Sequence, residues 1–346
     1  MTSDVLPLVV GDTPAAAGVP TATAAALAAA GRQRAKLLHA AALGALVALP
    51  FFTSGYTVGV VGRILAFGVF VASLDLLVGV AGLPSLGHAA FFGVGAYTGA
   101  LVARHVTALA PVQLVLAMAA GAAVAAICGA VTVRSRGVYF VMLTLAIGEL
   151  VRQVAESWTS VTGGTNGLAG VPPFQVVPGG GRVVIAGYIY LYVLAVAALA
   201  YGLLLGLRAS PFGQALRGLR DNEDRMRSLG YSVTGLKLAA IVAAGAAAGL
   251  AGSLWVTQAR FVSPIDAGFT TSALALFTVV IGGRGSQWGS FAAAAVVVVV
   301  RDELGTIAAG RGPLLLGLTF IAVVYLLPGG AAGLLRPPQR ERRWRR

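Results

Sequence analysis

The alternation of long apolar runs with short arginine clusters constrains this chain more than any other feature. Ten such runs lie at about residues 37–53, 60–80, 89–106, 111–133, 137–155, 186–207, 236–258, 270–284, 287–303 and 312–332. A run of roughly 20 apolar residues crosses a bilayer as a helix. A helix is also the only open-chain structure that satisfies its own backbone hydrogen bonds in hydrocarbon. The predicted fold class is therefore an all-α integral membrane protein of about ten transmembrane helices, with eight as the fallback. The runs at 89–106, 270–284 and 287–303 are short or weak, and one or two of them suit re-entrant segments. Composition agrees, because charged residues make up 11% of the chain where a soluble domain carries about 25%.

The placement of the basic residues orients the spans. Arg32, Arg34 and Lys36 precede the first run, and Arg134 and Arg136 follow the fourth. A cluster from Arg208 to Arg227 follows the sixth, and six Arg from Arg336 to Arg346 follow the last. All four clusters share one side if ten spans are drawn with both termini cytoplasmic, as the positive-inside rule requires. The loop at 156–186, whose only base is Arg182, then faces outward. The net charge of +13 is explained by this orientation and by contact with anionic lipid headgroups, so nucleic acid is not expected as a partner. The division expected is a disordered cytoplasmic leader at 1–35, a permease domain at 36–333 and a basic tail at 334–346. The leader lacks the basic n-region of a cleavable signal peptide. Cys128 is the sole cysteine and lies in an apolar run, so it reads as a packing residue with no internal disulfide.

Four segments depart from membrane filler. Gly82 to Thr98 combines Pro84 with closely spaced glycines. Broken backbone at membrane depth is tolerated where it is buried in protein or lines a cavity, which makes Ser85, His88 and Tyr97 candidates for a substrate pathway. The other reading is a turn followed by a helix that uses Gly93 and Gly95 for packing. Thr159 to Pro172 holds Thr162, Gly163, Gly164, Thr165 and Asn166, whose amides can meet an anionic group such as a carboxylate or merely shape a loop. Arg208 to Tyr231 is opened by Pro211, Phe212 and Gly213 and closed by Gly230. Between them Ala215, Leu216, Leu219 and Met226 predict one short amphipathic helix, suited to the groove of a soluble partner or to an anionic lipid surface. The five Arg, Arg217 and Arg220 among them, support the lipid reading, whereas Asp221, Glu223 and Asp224 weaken it and favour docking. Val279 to Phe291 has the glycine density of a nucleotide loop without the G-x-G-x-x-G order, and a tight cytoplasmic turn is expected there. Ser85 to Phe91 and Ser286 to Ala292 form a faint pair of Gly-rich breaks, one in each half, the pattern of a transporter with internal repeats.

Acids inside the runs are few. Asp75 is alone in its run, and Glu149 and Arg152, three apart on one helical face, read as a simple ion pair. So sparse a set argues against a proton relay. No catalytic constellation and no metal cluster is expected. The two lysines, Lys36 and Lys237, do not follow glycine as in a phosphate-binding loop, so any ATP hydrolysis must reside in another polypeptide.

At about residues 60–335 the sequence resembles the branched-chain amino-acid (LIV-type) ABC permeases, most closely their M-type subunit. The resemblance rests on Ser85-Leu-Gly-His-Ala-Ala-Phe-Phe-Gly-Val-Gly-Ala-Tyr97, on Thr144-Leu-Ala-Ile-Gly-Glu-Leu-Val-Arg152 leading into Thr162-Gly-Gly-Thr-Asn-Gly167, and on Ser210-Pro-Phe-Gly-Gln-Ala-Leu-Arg-Gly-Leu-Arg-Asp-Asn-Glu223, in that order. It implies an inner-membrane subunit of a bacterial importer for leucine, isoleucine or valine, with relatives that move urea, short amides or aromatic acids. It also implies a homologous second permease, two ATPase subunits that bind the ATP, and a periplasmic or lipid-anchored binding protein. No cofactor is implied for this chain. Residues 208–231 would be the segment that docks on the ATPase, although Arg225 and Met226 stand where the family usually has alanine. A self-sufficient secondary transporter is the alternative class.

Overall fold

The computed structural model describes residues 41–304 and 312–326, with Gly330 and Gly333. The leader at 1–35 and most of the basic tail lie outside the described residues. Backbone contacts divide the chain into residues 1–49 and residues 50–346. The described part of the first unit belongs to an apolar helix, α1 (Ala41–Phe52), which runs into the second. Everything below concerns the second unit.

Its element order is almost purely helical. α2 (Gly55–Asp75) continues as a π-helical turn, Leu76–Ala81, and is followed by α3 (Ala89–His105), α4 (Ala110–Thr132), α5 (Val138–Ser157) and α6 (Ala186–Ala209). Two short helices, α7 (Pro211–Asp221) and α8 (Glu223–Ser228), lead to α9 (Val233–Ala259). α10 (Phe269–Gly282), α11 (Gln287–Val298, with a π-helical end to Leu304) and α12 (Gly312–Leu326) complete the described chain. A helix therefore stands in each of the ten apolar runs. Five elements (α2 with its π turn, α4, α5, α6 and α9) are long and apolar enough to cross a membrane, while α1 and α10 are shorter apolar helices.

The core is built on α2 and α9. α9 packs on α3, α4 and α2, and α2 packs on α11 and α6. Lipid tails are as apolar as leucine, so helices in a membrane gain from close backbone approach rather than from burial of apolar surface alone. Gly245-x-x-x-Gly249 on α9 shows how. A Cβ at either position would collide with α4, with Ala125 and the Gly121 carbonyl at one and with the Ala117 carbonyl at the other. On α3, Gly95 meets the backbone of Gly249 and Gly93 meets Ala267. The packing reading of the α3 glycines is thus realised in the fold.

The bundle has two ends. At the first, which carries the arginine clusters that follow the fourth and sixth runs, Arg136 before α5 pairs with Glu223 of α8 at 3.0 Å. The bases after the fourth run and those after the sixth therefore share one end. At the second end the long 158–185 segment lies over the neighbouring turns. Leu168–Ala169 (β1) and Phe261–Val262 (β2) form an antiparallel pair, Leu168 opposite Val262. Gln175 bridges to Leu109. α6, with 24 residues, spans roughly 36 Å at 1.5 Å per residue and separates the two ends.

Residues 211–230 were expected to form a single amphipathic helix, but Asn222 divides them. Its backbone is extended (φ −161°, ψ 104°) and its side-chain oxygen accepts the Arg225 amide at 2.9 Å. Asparagine is among the best N-caps, and Glu223 and Asp224 behind it suit the positive end of a new helix.

Candidate functional site

Three of the four unusual sequence segments meet at the arginine-bearing end. Gly82 of one lies against Arg220, and the other two meet at Asp75, which is wholly buried at the end of α2. It is not alone. Its Oδ2 accepts Arg208 Nη2 from the last turn of α6 at 2.6 Å, and its Oδ1 accepts the Gly285 amide at 2.8 Å. One carboxylate thus ties together α2, α6 and the glycine-rich turn between α10 and α11. Gly79 lies one turn beyond, and a Cβ there would collide with Asp75 Oδ1 and with Gly285. A buried charge pair is favoured where geometry is good and the spare lone pairs and protons are satisfied; the Gly285 amide satisfies the carboxylate, while Arg208 Nε has no partner among the described residues. Arg208, counted from sequence among the surface bases, is 7% exposed and belongs to the interior.

The same end carries α7. Ser210 caps it, accepting the Gly213 amide at 3.3 Å, with Pro211 in the first turn. Gly213, Leu216 and Leu219 face inward, while Pro211, Gln214, Arg217, Arg220 and Asp221 are exposed and Phe212 and Ala215 are half-buried. Arg217 donates to the Arg208 carbonyl at 3.0 Å, and Arg220 donates to the Gly79 carbonyl in the π-helical turn of α2. A π-helical insertion leaves carbonyls off the regular ladder, and Arg220 takes up this one. α7 is therefore held to α2 directly and, through Arg208 and Asp75, a second time. In α8, Glu223 gathers Lys237 at 2.8 Å, Arg136 at 3.0 Å and Arg227 at 3.2 Å. Met226 is buried with its sulfur against Gly218, and Gly230 ends the segment at φ 85°. A cleft of about 640 Å³ opens beside α7, lined by Val78, Gly82, Pro84, Arg220 and Arg284.

The sequence-derived pathway residues fall in separate places. His88 is fully buried; Nε2 lies 2.8 Å from Ser73 Oγ, its ring stacks on Phe70 and meets the edge of Phe91. Ser85 is buried and lines a cavity of about 20 Å³ with Cys128 and Thr144. Tyr97, midway along α3, packs with Leu168, Val171 and Val262 under the second end. Thr162 donates its hydroxyl to the carbonyls of Ala155 and Trp158 at 2.5 and 2.7 Å. Gly163 and Gly164 take left-handed conformations that turn the chain there, and Thr165 and Asn166 are exposed. Ser85 and His88 thus stand at the start of α3, whereas residues 162–166 stand past its far end, where Arg104 donates to the Ala169 carbonyl. The fold does not bring the two sets into one site.

A fourth feature was only half visible in sequence. On α5, Arg152 Nε donates to Glu149 Oε1 at 2.5 Å, and Nη1 donates to Glu156, which makes the expected pair a triad. Beside it lies a second cleft of about 640 Å³, bounded by Leu145, Ile265, Gly268 and Phe269. Glu156 lies at i+4 from Arg152, a spacing that favours contact, so periodicity alone could have included it.

A helical body with five elements fit to cross a bilayer, knitted at one end by buried charge, is that of a multi-pass membrane protein. Comparison with known proteins narrows the class. A family model described as "Branched-chain amino acid transport system / permease component" matches residues 56–327. The chain is 32% identical over 326 residues to the high-affinity branched-chain amino acid transport system permease protein LivM of Salmonella typhimurium, covering 87% of this chain and 76% of that protein. It is likewise 32% identical over 331 residues to LivM of Escherichia coli K12, with the same coverage. It is 25% identical over 278 residues to a probable LivM of Methanocaldococcus jannaschii, covering 69% of this chain and 79% of the relative. No solved structure matches. The chain belongs to the branched-chain amino acid transport permease family, whose members are transport components rather than enzymes.

Proposed function

We propose that this chain is the M-type permease subunit of a bacterial inner-membrane ABC importer for leucine, isoleucine, valine or similar hydrophobic amino acids. It would span the membrane ten times with both termini cytoplasmic, pair with a homologous second permease, and work by alternating access. Two partner ATPases would bind and hydrolyse the ATP, and a binding protein would deliver cargo at the end formed by residues 156–175. The observation that carries this reading is α7. It exposes Arg217, Arg220 and Asp221 and is fastened to α2 through Arg220 and the Gly79 carbonyl and to α6 through Arg217 and the Arg208 carbonyl, with Arg208 in turn holding Asp75 of α2. A partner that moves α7 would therefore move the helix that packs on α6, α9 and α11. A ligand shifts a two-state equilibrium only through differential contact with the two states, and in this reading α7 makes that contact.

The test is uptake of labelled leucine by cells lacking the gene, with and without an intact copy, before and after ATP depletion at constant proton gradient. Restored uptake that collapses with ATP is the expected result. Uptake that follows the proton gradient would instead make the chain a secondary carrier. No restoration would remove leucine as cargo and move the search to urea, short amides or aromatic acids.

A further inference from the structure

α5 presents a problem of solvation that the packed bundle does not solve. It is one of the five elements fit to cross the membrane, yet only 17% of its apolar window is buried. It therefore faces the surroundings over two stripes. One stripe, with Tyr139, Met142, Leu150 and Val154, is apolar and suits lipid. The other runs along Leu145, Glu149, Arg152 and Glu156. Arg152 is the fifteenth of the 20 residues of α5, roughly 21 Å along a helix of about 30 Å. The triad therefore runs from within the span proposed for α5, at Glu149 and Arg152, to the outer end of that span at Glu156. Its side chains remain 25–45% exposed. Ionised groups at that depth face a polar cavity or another protein rather than lipid.

The cleft beside the triad has three kinds of wall. The charges are unsaturated: Glu149 gives Oε1 to Arg152, and Oε2 has no partner among the described residues. Arg152 Nη2 has only Gln153 Oε1 at 3.5 Å. The second wall is the start of α10, whose N-cap Gly268 has no side chain to satisfy the first-turn amides. A Cβ at Gly268 would press on Arg152 Cδ at 2.9 Å, so the guanidinium stem lies directly against that helix end. Arg152 is already paired with Glu149 and Glu156, so a ligand carboxylate would be met by its remaining Nη2 and by the positive end of the α10 dipole. The third wall is apolar, formed by Leu145, Ile265 and Phe269.

We propose that this cleft is a binding subsite for the zwitterionic head and apolar side chain of an α-amino acid. The carboxylate is met by Arg152 Nη2 and the first-turn amides of α10. The ammonium is met by Glu149, and the side chain lies on Leu145, Ile265 and Phe269. A simple acid or amine offers only half of this charge pattern. The inference rests on the amino-acid cargo proposed above and places its recognition away from Ser85 and His88.

The test uses the full chain in the membranes of cells that make it with its own partner subunits. Cys128→Ser removes the single native thiol, and Ile265→Cys introduces a reporter at the cleft. Its alkylation by a membrane-impermeant thiol reagent is followed with leucine, leucinamide or 4-methylpentanoate, and leucine uptake is measured in the same cells. Leucine at about ten times its dissociation constant slows alkylation about tenfold, while leucinamide, without the carboxylate, and 4-methylpentanoate, without the ammonium, leave it fast. Glu149→Gln abolishes the protection without changing the ligand-free rate. Intact leucine uptake with no protection overturns the subsite and leaves the cargo reading standing. A reporter unreactive with or without leucine in the assembled transporter makes this face a subunit interface and overturns the subsite as well. A wild-type chain that supports no leucine uptake overturns the cargo reading, and the subsite falls with it.

Discussion

Asp75→Asn is the perturbation that best isolates the tertiary logic of this fold. The side chain keeps its shape, so packing in α2 is undisturbed, and its remaining oxygen can still accept the Gly285 amide. What is lost is the charge opposite Arg208, whose guanidinium is buried at 2.6 Å from the carboxylate. Removing one partner of a buried ion pair costs about 3–5 kcal/mol, because the other charge is left uncompensated. At about 2 °C per kcal/mol for a chain of this size, the unfolding midpoint should fall by at least about 6 °C. The assay is thermal unfolding of the purified full chain in nanodiscs, followed by tryptophan fluorescence. Arg208→Gln should be similarly harmful, and the double variant Asp75→Asn/Arg208→Gln should recover much of the loss, since it leaves no unpaired charge. Additive losses in the double variant, or an Asp75→Asn midpoint within error of wild type, would refute the reasoning. The pair would then not be energetically coupled.

Gly87→Ala should destabilise the same chain by about 1–3 kcal/mol, as overpacking does, because a Cβ there would collide with the Thr144 carbonyl of α5; a lowered midpoint with unaltered spectra is the check. Arg217→Glu with Arg220→Glu should leave ATPase activity in the assembled transporter but lower the amino acid moved per ATP severalfold. Uptake at the wild-type ratio would remove α7 as the coupling element. Reporter fusions after residues 165 and 215 should report opposite sides of the membrane, since α6 lies between them, and a common side would sink the ten-span topology.

Helical periodicity and hydropathy were sufficient to place the elements. The run expected at 186–207 is the helix Ala186–Ala209, and the run at 137–155 is Val138–Ser157. These are local properties: a stretch of apolar residues flanked by Ser210-Pro211 or Gly137 carries its own start and stop. The break at Asn222 was equally local, and cap preference in Asp-Asn-Glu would have found it. The order of the motifs likewise carries the family resemblance.

The sites were less legible. Asp75 read as a solitary acid and Arg208 as a surface base, because nothing within either run refers to the other; they are 133 residues apart and meet only when α2 packs on α6. His88 and Asn166 both read as pathway residues, and their chemistry is legible in the sequence whereas their depth along the bundle is not. The fold puts one inside an aromatic stack and the other on an exposed turn past the far end of α3. The sequence by itself determined the solvent, the helices and the family, because each follows from residues near one another in the chain. Only the tertiary structure decided which charges are paired, which are left facing a cleft, and which glycines let two backbones touch. Those outcomes depend on helix faces brought together from distant parts of the chain, where a single Cβ or an unpaired charge outweighs any local preference.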